Sequence, residues 1–128
     1  MNILSLAAVG LAAICGAWLR WLLGALLNSA YPLIPLGTLA ANLIGSFLMG
    51  LAMILVVERG MFPPEWRIGI ITGFIGSFTT MSTFSAEAMT LITRADYVIA
   101  AELVTLHVAG SILMVFAGAL AARAIIGS

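Results

Sequence analysis

Four long apolar runs joined only by short polar turns leave this chain few ways to fold. The runs extend from about Ile3 to Leu27, Leu36 to Val57, Trp66 to Thr93 and Tyr97 to Ile126. Each reaches the roughly 20 residues with which an α-helix crosses the hydrocarbon of a bilayer. The connections NSAYPLIP, ERGMFPPE and RAD carry the prolines, glycine and charges of turns. None has room for a soluble domain. The expected fold class is therefore an all-α membrane protein. Residues 1–128 form a single four-helix transmembrane domain with both termini on one side.

Composition agrees. Only 8% of residues are charged, against about 25% in soluble domains, and the mean hydropathy is +1.22. The formal net charge is zero and no basic tail is present, which argues against a nucleic-acid partner. The first run has neither a charged leader nor a convincing cleavage site, so it reads as a retained helix. The single cysteine, Cys15, can form no intrachain disulfide and is expected to be buried and inert.

Orientation is weakly specified. The chain has no lysine. Arg59, Arg67 and Arg123 fall on one side, and Arg94 on the other, joined by Arg20 if it snorkels from the first helix. Three against two is a slight positive-inside bias. Two readings stand open: insertion both ways round, or one orientation set by other features.

Small residues recur at helical spacing. Gly16, Arg20 and Gly24 share a face of the first helix; Gly37, Ala41 and Gly45 share one on the second; Gly110 and Gly118 bracket Met114 on the fourth. Such ridges let helices approach closely in lipid. The polar residues carry more information. Thr38, Asn42 and Ser46 line one face of the second helix. Thr83 and Glu87 are four apart on the third, as are His107 and Ser111 on the fourth. Ionisable groups in a membrane usually face an interior or a watery cavity. A transport path through the bundle is the favoured reading, with polar glue between helices as the alternative.

The third run contains TGFIGSFTTMSTFSAE, residues 72–87. Gly73, Gly76 and Ser77 weaken a helix, and Thr79, Thr80, Ser82 and Thr83 crowd hydroxyls onto it. A helix break in a bilayer must be buried in protein or line an ion site. Freed carbonyls suit a cation, and helix N-terminal amides suit an anion. Phe78 and Phe84 flank the cluster, and the edge of an aromatic ring is electropositive.

Together, GAWLRWLLG, GTLAANLIGS, TGFIGSFTTMSTFSAE and HVAGS resemble the CrcB/Fluc fluoride channel family, one motif per helix over nearly the whole chain. The resemblance implies a passive, selective channel that exports fluoride across the inner (plasma) membrane. It implies an antiparallel, dual-topology homodimer with two pores, each built from both subunits. It implies a structural sodium ion (Na+) at the dimer centre, held by carbonyls that match Gly76 and Thr79 at the broken third helix. The family's asparagine matches Asn42, and its phenylalanine pair falls on Met81 and Phe84. Its polar track falls on Thr38, Ser82, Thr83, Glu87 and Ser111, and its first-helix arginine on Arg20, near the pore vestibule. Two positions depart from the pattern. Met81 has a polarizable thioether where a ring is usual. Leu103 stands where some members carry an aromatic hydroxyl, and His107, one turn on, either supplies a polar group to the pathway or is a buried structural histidine.

The chemistry suits an anion. Fluoride is small and strongly hydrated, so its water contacts must be replaced by donors, which Asn42 and the hydroxyls offer. Arg20, between Trp18 and Trp21, either draws anions to the mouth or snorkels to headgroups. Glu87 fits an anion path if it carries a proton or hydrogen-bonds from the edge. The rival reading is a proton-coupled, small multidrug-resistance-type exporter. That class needs an acid in the first helix, where this chain has Arg20 and none. A non-transporting assembly subunit leaves the hydroxyl-rich break without a purpose. With one histidine, no metal-ligand cluster and no evident nucleophile–base pair, the chain does not read as an enzyme.

Overall fold

The computed structural model describes residues 2–31 and 33–127. Helix α1 (Ile3–Leu27) starts where the Asn2 side chain accepts the Ser5 N–H at 2.7 Å. Helix α2 (Leu36–Ala52) continues through a wider, π-helical turn, Met53–Glu58. The third span begins as α3 (Pro64–Ile68), with proline in its first turn, where the missing N–H costs nothing. It continues through a second wide turn, Gly69–Ile75, into α4 (Gly76–Phe78) and resumes as α5 (Met81–Thr93). Helix α6 (Tyr97–Ile126) completes the chain. Four helical stretches, Ile3–Leu27, Leu36–Glu58, Pro64–Thr93 and Tyr97–Ile126, are long and apolar enough to cross a membrane. Their ends lie within two residues of the apolar runs, because prolines and charges mark both.

Packing follows the small residues. Helix α2 packs most extensively on α6. A side chain at Gly50 would overlap the Val115 carbonyl, and one at Gly118 would overlap the Phe47 carbonyl. The two backbones therefore touch without side chains between them. Gly16 meets the Phe74 carbonyl and Ser77, and Gly37 meets the Leu23 carbonyl. Two apolar clusters result. Ile34, Phe84, Ala88, Leu91, Ala100 and Leu103 form one. Ala52, Val56 and Ile75 form the other. The third span contributes to both, and its polar interruption falls between the two contributions.

Helix α1 buries only Gly16. Cys15, expected in the interior, is exposed, in an open groove between α1 and the third span. One residue is about 100° of helix rotation, enough to take it from the close contact at Gly16 to the edge of the groove. At the turn between α5 and α6, Ala95 adopts φ +62°. The Asp96 N–H returns to the Leu91 carbonyl at 3.0 Å, closing α5 in the manner that usually employs glycine.

Candidate functional site

The third span is interrupted at Thr79 and Thr80, both extended (ψ 157° and 109°), between the end of α4 and the start of α5. An uninterrupted helix would give the Gly76 carbonyl the Thr80 N–H, and the Thr79 carbonyl the Thr83 N–H. Both donors go elsewhere. The Thr80 N–H donates to Asn42 Oδ1 at 2.7 Å, and the Thr83 N–H donates to Thr80 Oγ1 at 3.2 Å. Asn42 Nδ2 donates back to the Thr80 carbonyl at 3.1 Å. One side-chain amide thus satisfies both backbone groups of Thr80, as a neighbouring strand would. Arg20 Nε donates to the Ser77 carbonyl at 3.0 Å, and Thr79 Oγ1 donates to the Ile75 carbonyl at 3.0 Å. Threonine favours this interruption because its hydroxyl competes for backbone groups and caps the helix that follows.

Two cavities meet at Thr80, which lines both. The first, of about 360 Å³, lies between α2, α6 and the interruption; its lining includes Asn42, Ser46, Thr79, Met81, Phe84, His107 and Ser111. The second, of about 320 Å³, is lined by Arg20, Trp21, Gly24, Ala25, Asn28, Thr38, Thr80 and Thr83. Phe84 stacks on the His107 ring with centroids 4.5 Å apart, which covers one of its faces. His107 Nδ1 lies 3.0 Å from the Leu103 carbonyl. A carbonyl only accepts, so Nδ1 carries hydrogen. His107 Nε2 is buried and has no partner. Thr38 Oγ1 donates to Glu87 Oε1 at 2.6 Å, and Glu87 Oε2 is likewise buried without a partner.

The sequence-derived candidates divide accordingly. Asn42, Thr79, Met81, Phe84, His107 and Ser111 share the first cavity. Arg20, Thr38 and Thr83 share the second. Glu87 belongs to neither lining and is held by Thr38. Ser82 is exposed, 3.4 Å from Thr80 Oγ1. Gly76 is exposed and lines neither cavity. Arg20 turns its Nε to the interruption and lines the second cavity. The Asn42 amide is half committed: one of its two N–H groups is spent on Thr80.

Two residues escaped the sequence reading. Thr80 joins the cavities and caps α5; it sat in the hydroxyl cluster with nothing to distinguish it from its neighbours. Asn28 lies in a segment read only as a turn. Its Oδ1 accepts the Gly37 N–H at 2.8 Å and the Thr38 N–H at 3.3 Å. It caps α2 from outside, because Pro35 at the helix start has no side-chain cap to give.

A family model described as "CrcB-like protein, Camphor Resistance (CrcB)" matches residues 7–119. The chain is 51% identical to the fluoride-specific ion channel FluC of Pseudomonas putida (strain W619), over 89% of this chain and 90% of that one. It is 47% identical to the fluoride-specific ion channel FluC of Pseudomonas syringae pv. maculicola, over 91% of each chain. A third relative, the fluoride-specific ion channel FluC of Nitrosospira multiformis, is 46% identical over 92% of each.

Proposed function

Because the chain belongs to the CrcB-like family, we propose that it is a multi-pass inner-membrane channel through which fluoride passes selectively and passively. The observation that carries this reading is the interruption at Thr79–Thr80, held open by Asn42, with a cavity on each side whose lining carries hydroxyl and amide groups, in the first within an otherwise largely apolar wall. A desolvated anion needs hydrogen-bond donors. The second N–H of Asn42 remains, as do the Ser46 and Ser111 hydroxyls in the first cavity. Thr83 Oγ1 accepts from Thr80 Oγ1 at 2.9 Å, which leaves its own hydrogen to give. Arg20 supplies positive charge in the second cavity, and the Phe84 edge supplies a weak positive surface in the first. With His107 neutral, no full charge lines the first cavity, so binding there stays weak enough for release. A negative cell interior would drive the anion outward by about 2.3 kcal/mol per 100 mV.

The same interruption supports a broken helix in mid-membrane and a homodimer. Gly76, Met81, Ser82 and Ser85 are exposed on one chain. Lipid cannot satisfy the backbone of such a break, and a second copy would cover it. The antiparallel, two-pore arrangement is drawn from the family resemblance. A sodium ion at the dimer centre fits the residues present. The Gly76 and Thr79 carbonyls are the two whose helical donors are diverted to Asn42 and Thr80, and a neutral carbonyl oxygen is a suitable ligand for a hard cation. Such an ion would supply fixed positive charge that ties the two interruptions together.

The test is ion release from liposomes holding the purified protein, with valinomycin to carry the compensating potassium. Rapid fluoride release with chloride retained is expected. Retained fluoride would overturn the proposal, and cation uptake driven by a proton gradient would then favour the multidrug-type exporter. That alternative starts at a disadvantage, since α1 contains no acid.

A further inference from the structure

Among the described residues, two buried side-chain polar atoms have no hydrogen-bond partner, Glu87 Oε2 and His107 Nε2. Only His107 lines the first cavity. Its ring is fixed on two sides, by the stack on Phe84 and by the Leu103 carbonyl at Nδ1. Nε2 is the ring nitrogen left without a partner, buried at the wall of this cavity. Unprotonated, it presents a lone pair, which repels an anion. Protonated, it presents an N–H donor and a positive charge at the wall of the cavity that Phe84, Ser111 and Asn42 also line.

We propose that His107 Nε2 is an anion ligand armed by a proton: a proton and a fluoride ion bind this cavity together, each favouring the other. This rests on the channel reading above and adds to it a dependence on pH. The physical reason is the cost of burying a lone charge. An imidazolium packed against Phe84 is costly alone and far less so with an anion beside it. The other side chains lining the cavity do not titrate. On α5 the acid next in sequence is Glu87, one oxygen of which is held by Thr38. On α6, Glu102 is exposed and outside the lining. Arg20 belongs to the other cavity, beyond Thr80. His107 is therefore the one titrating side chain in the lining. Reciprocity follows: if the proton strengthens anion binding, the anion must strengthen proton binding by the same factor.

His107 is the only histidine in the chain, so the imidazole nitrogen resonances of full-length protein labelled with ¹⁵N-histidine need no assignment. At fixed pH, sodium fluoride should increase the doubly protonated fraction, and sodium chloride should not. In liposomes, the half-saturating fluoride concentration should fall by about fivefold or more between about pH 8 and about pH 5. The leak of neutral HF through protein-free vesicles is subtracted. In His107→Gln the half-saturating concentration should stay constant with pH. A resonance indifferent to fluoride, in protein that still passes fluoride, overturns the inference and leaves the channel reading standing. A pH dependence that persists in His107→Gln overturns the assignment to His107. Absence of fluoride flux from the wild type overturns the channel reading and this inference with it.

Discussion

Asn42 acts first on the backbone and only then on an ion. Its amide matches the donor and acceptor of Thr80 in the one orientation that satisfies both. Aspartate there would set a carboxylate oxygen against the Thr80 carbonyl and place negative charge in the first cavity. Asn42→Asp should abolish fluoride release and lower unfolding stability by about 1–3 kcal/mol. An active variant would show that Asn42 is remote from the ion. Phe84 lines the first cavity with one face covered by His107. Phe84→Ile removes both edge and stack, and fluoride flux should fall strongly; wild-type flux would remove the ring from the account. Met81 is 70% exposed on the single chain, so a ring can replace it without displacing a neighbour within the subunit. Met81→Phe should keep or raise the flux, and an inactive but folded protein would show that Met81 makes a specific contact in the assembly. Most of these residues were legible in the sequence, because Thr38, Asn42 and Ser46 repeat at helical spacing and the hydroxyl cluster is dense. What periodicity could not supply is partnership. It placed Asn42 on a face without revealing that Thr80 takes both ends of its amide. It placed Arg20 on α1 without revealing the Ser77 carbonyl.

At the scale of elements, the spans were legible because a bilayer fixes their length, and prolines and charges close them. The π-helical turns at Met53–Glu58 and Gly69–Ile75 were not; an extra residue in a turn leaves no mark in an apolar run. Gly50 was passed over for a similar reason. It lies outside the Gly37–Ala41–Gly45 repeat, yet it faces the Val115 backbone. Gly118→Ala would push a methyl group into the Phe47 carbonyl. The α2–α6 contact should open, at a cost of about 1–3 kcal/mol, seen as a lower thermal midpoint in detergent. An unchanged midpoint would mean that the helices slide apart freely. Ala95 gives the opposite expectation. Its φ of +62° costs about 1–2 kcal/mol for a residue with a Cβ. Ala95→Gly should recover part of that in the same measurement, and a destabilised variant would contradict the assigned turn.

Across the whole molecule, the inward turn of Arg20 changes the charge balance. It leaves the flanking count, which stands at three arginines against one, Arg123 pairing with Glu58 at 3.8 Å. The antiparallel pairing therefore draws no support from balanced arginines. What calls for a second copy is the open face around Gly76 and Met81. The protein in detergent should have about twice the 13.4 kDa mass of one chain. In Arg94→Cys, with Cys15→Ala to remove the exposed native thiol, an impermeant maleimide should label chains from both sides of the membrane. Labelling from one side alone would contradict the dual topology. The proposed selective path for fluoride runs through the interruption at Thr80 and its two cavities. A planar bilayer containing the protein, with fluoride on one side and chloride on the other, tests it most directly. The current should reverse close to the equilibrium potential of fluoride, whereas reversal midway between the two anions, or no current, would contradict the claim.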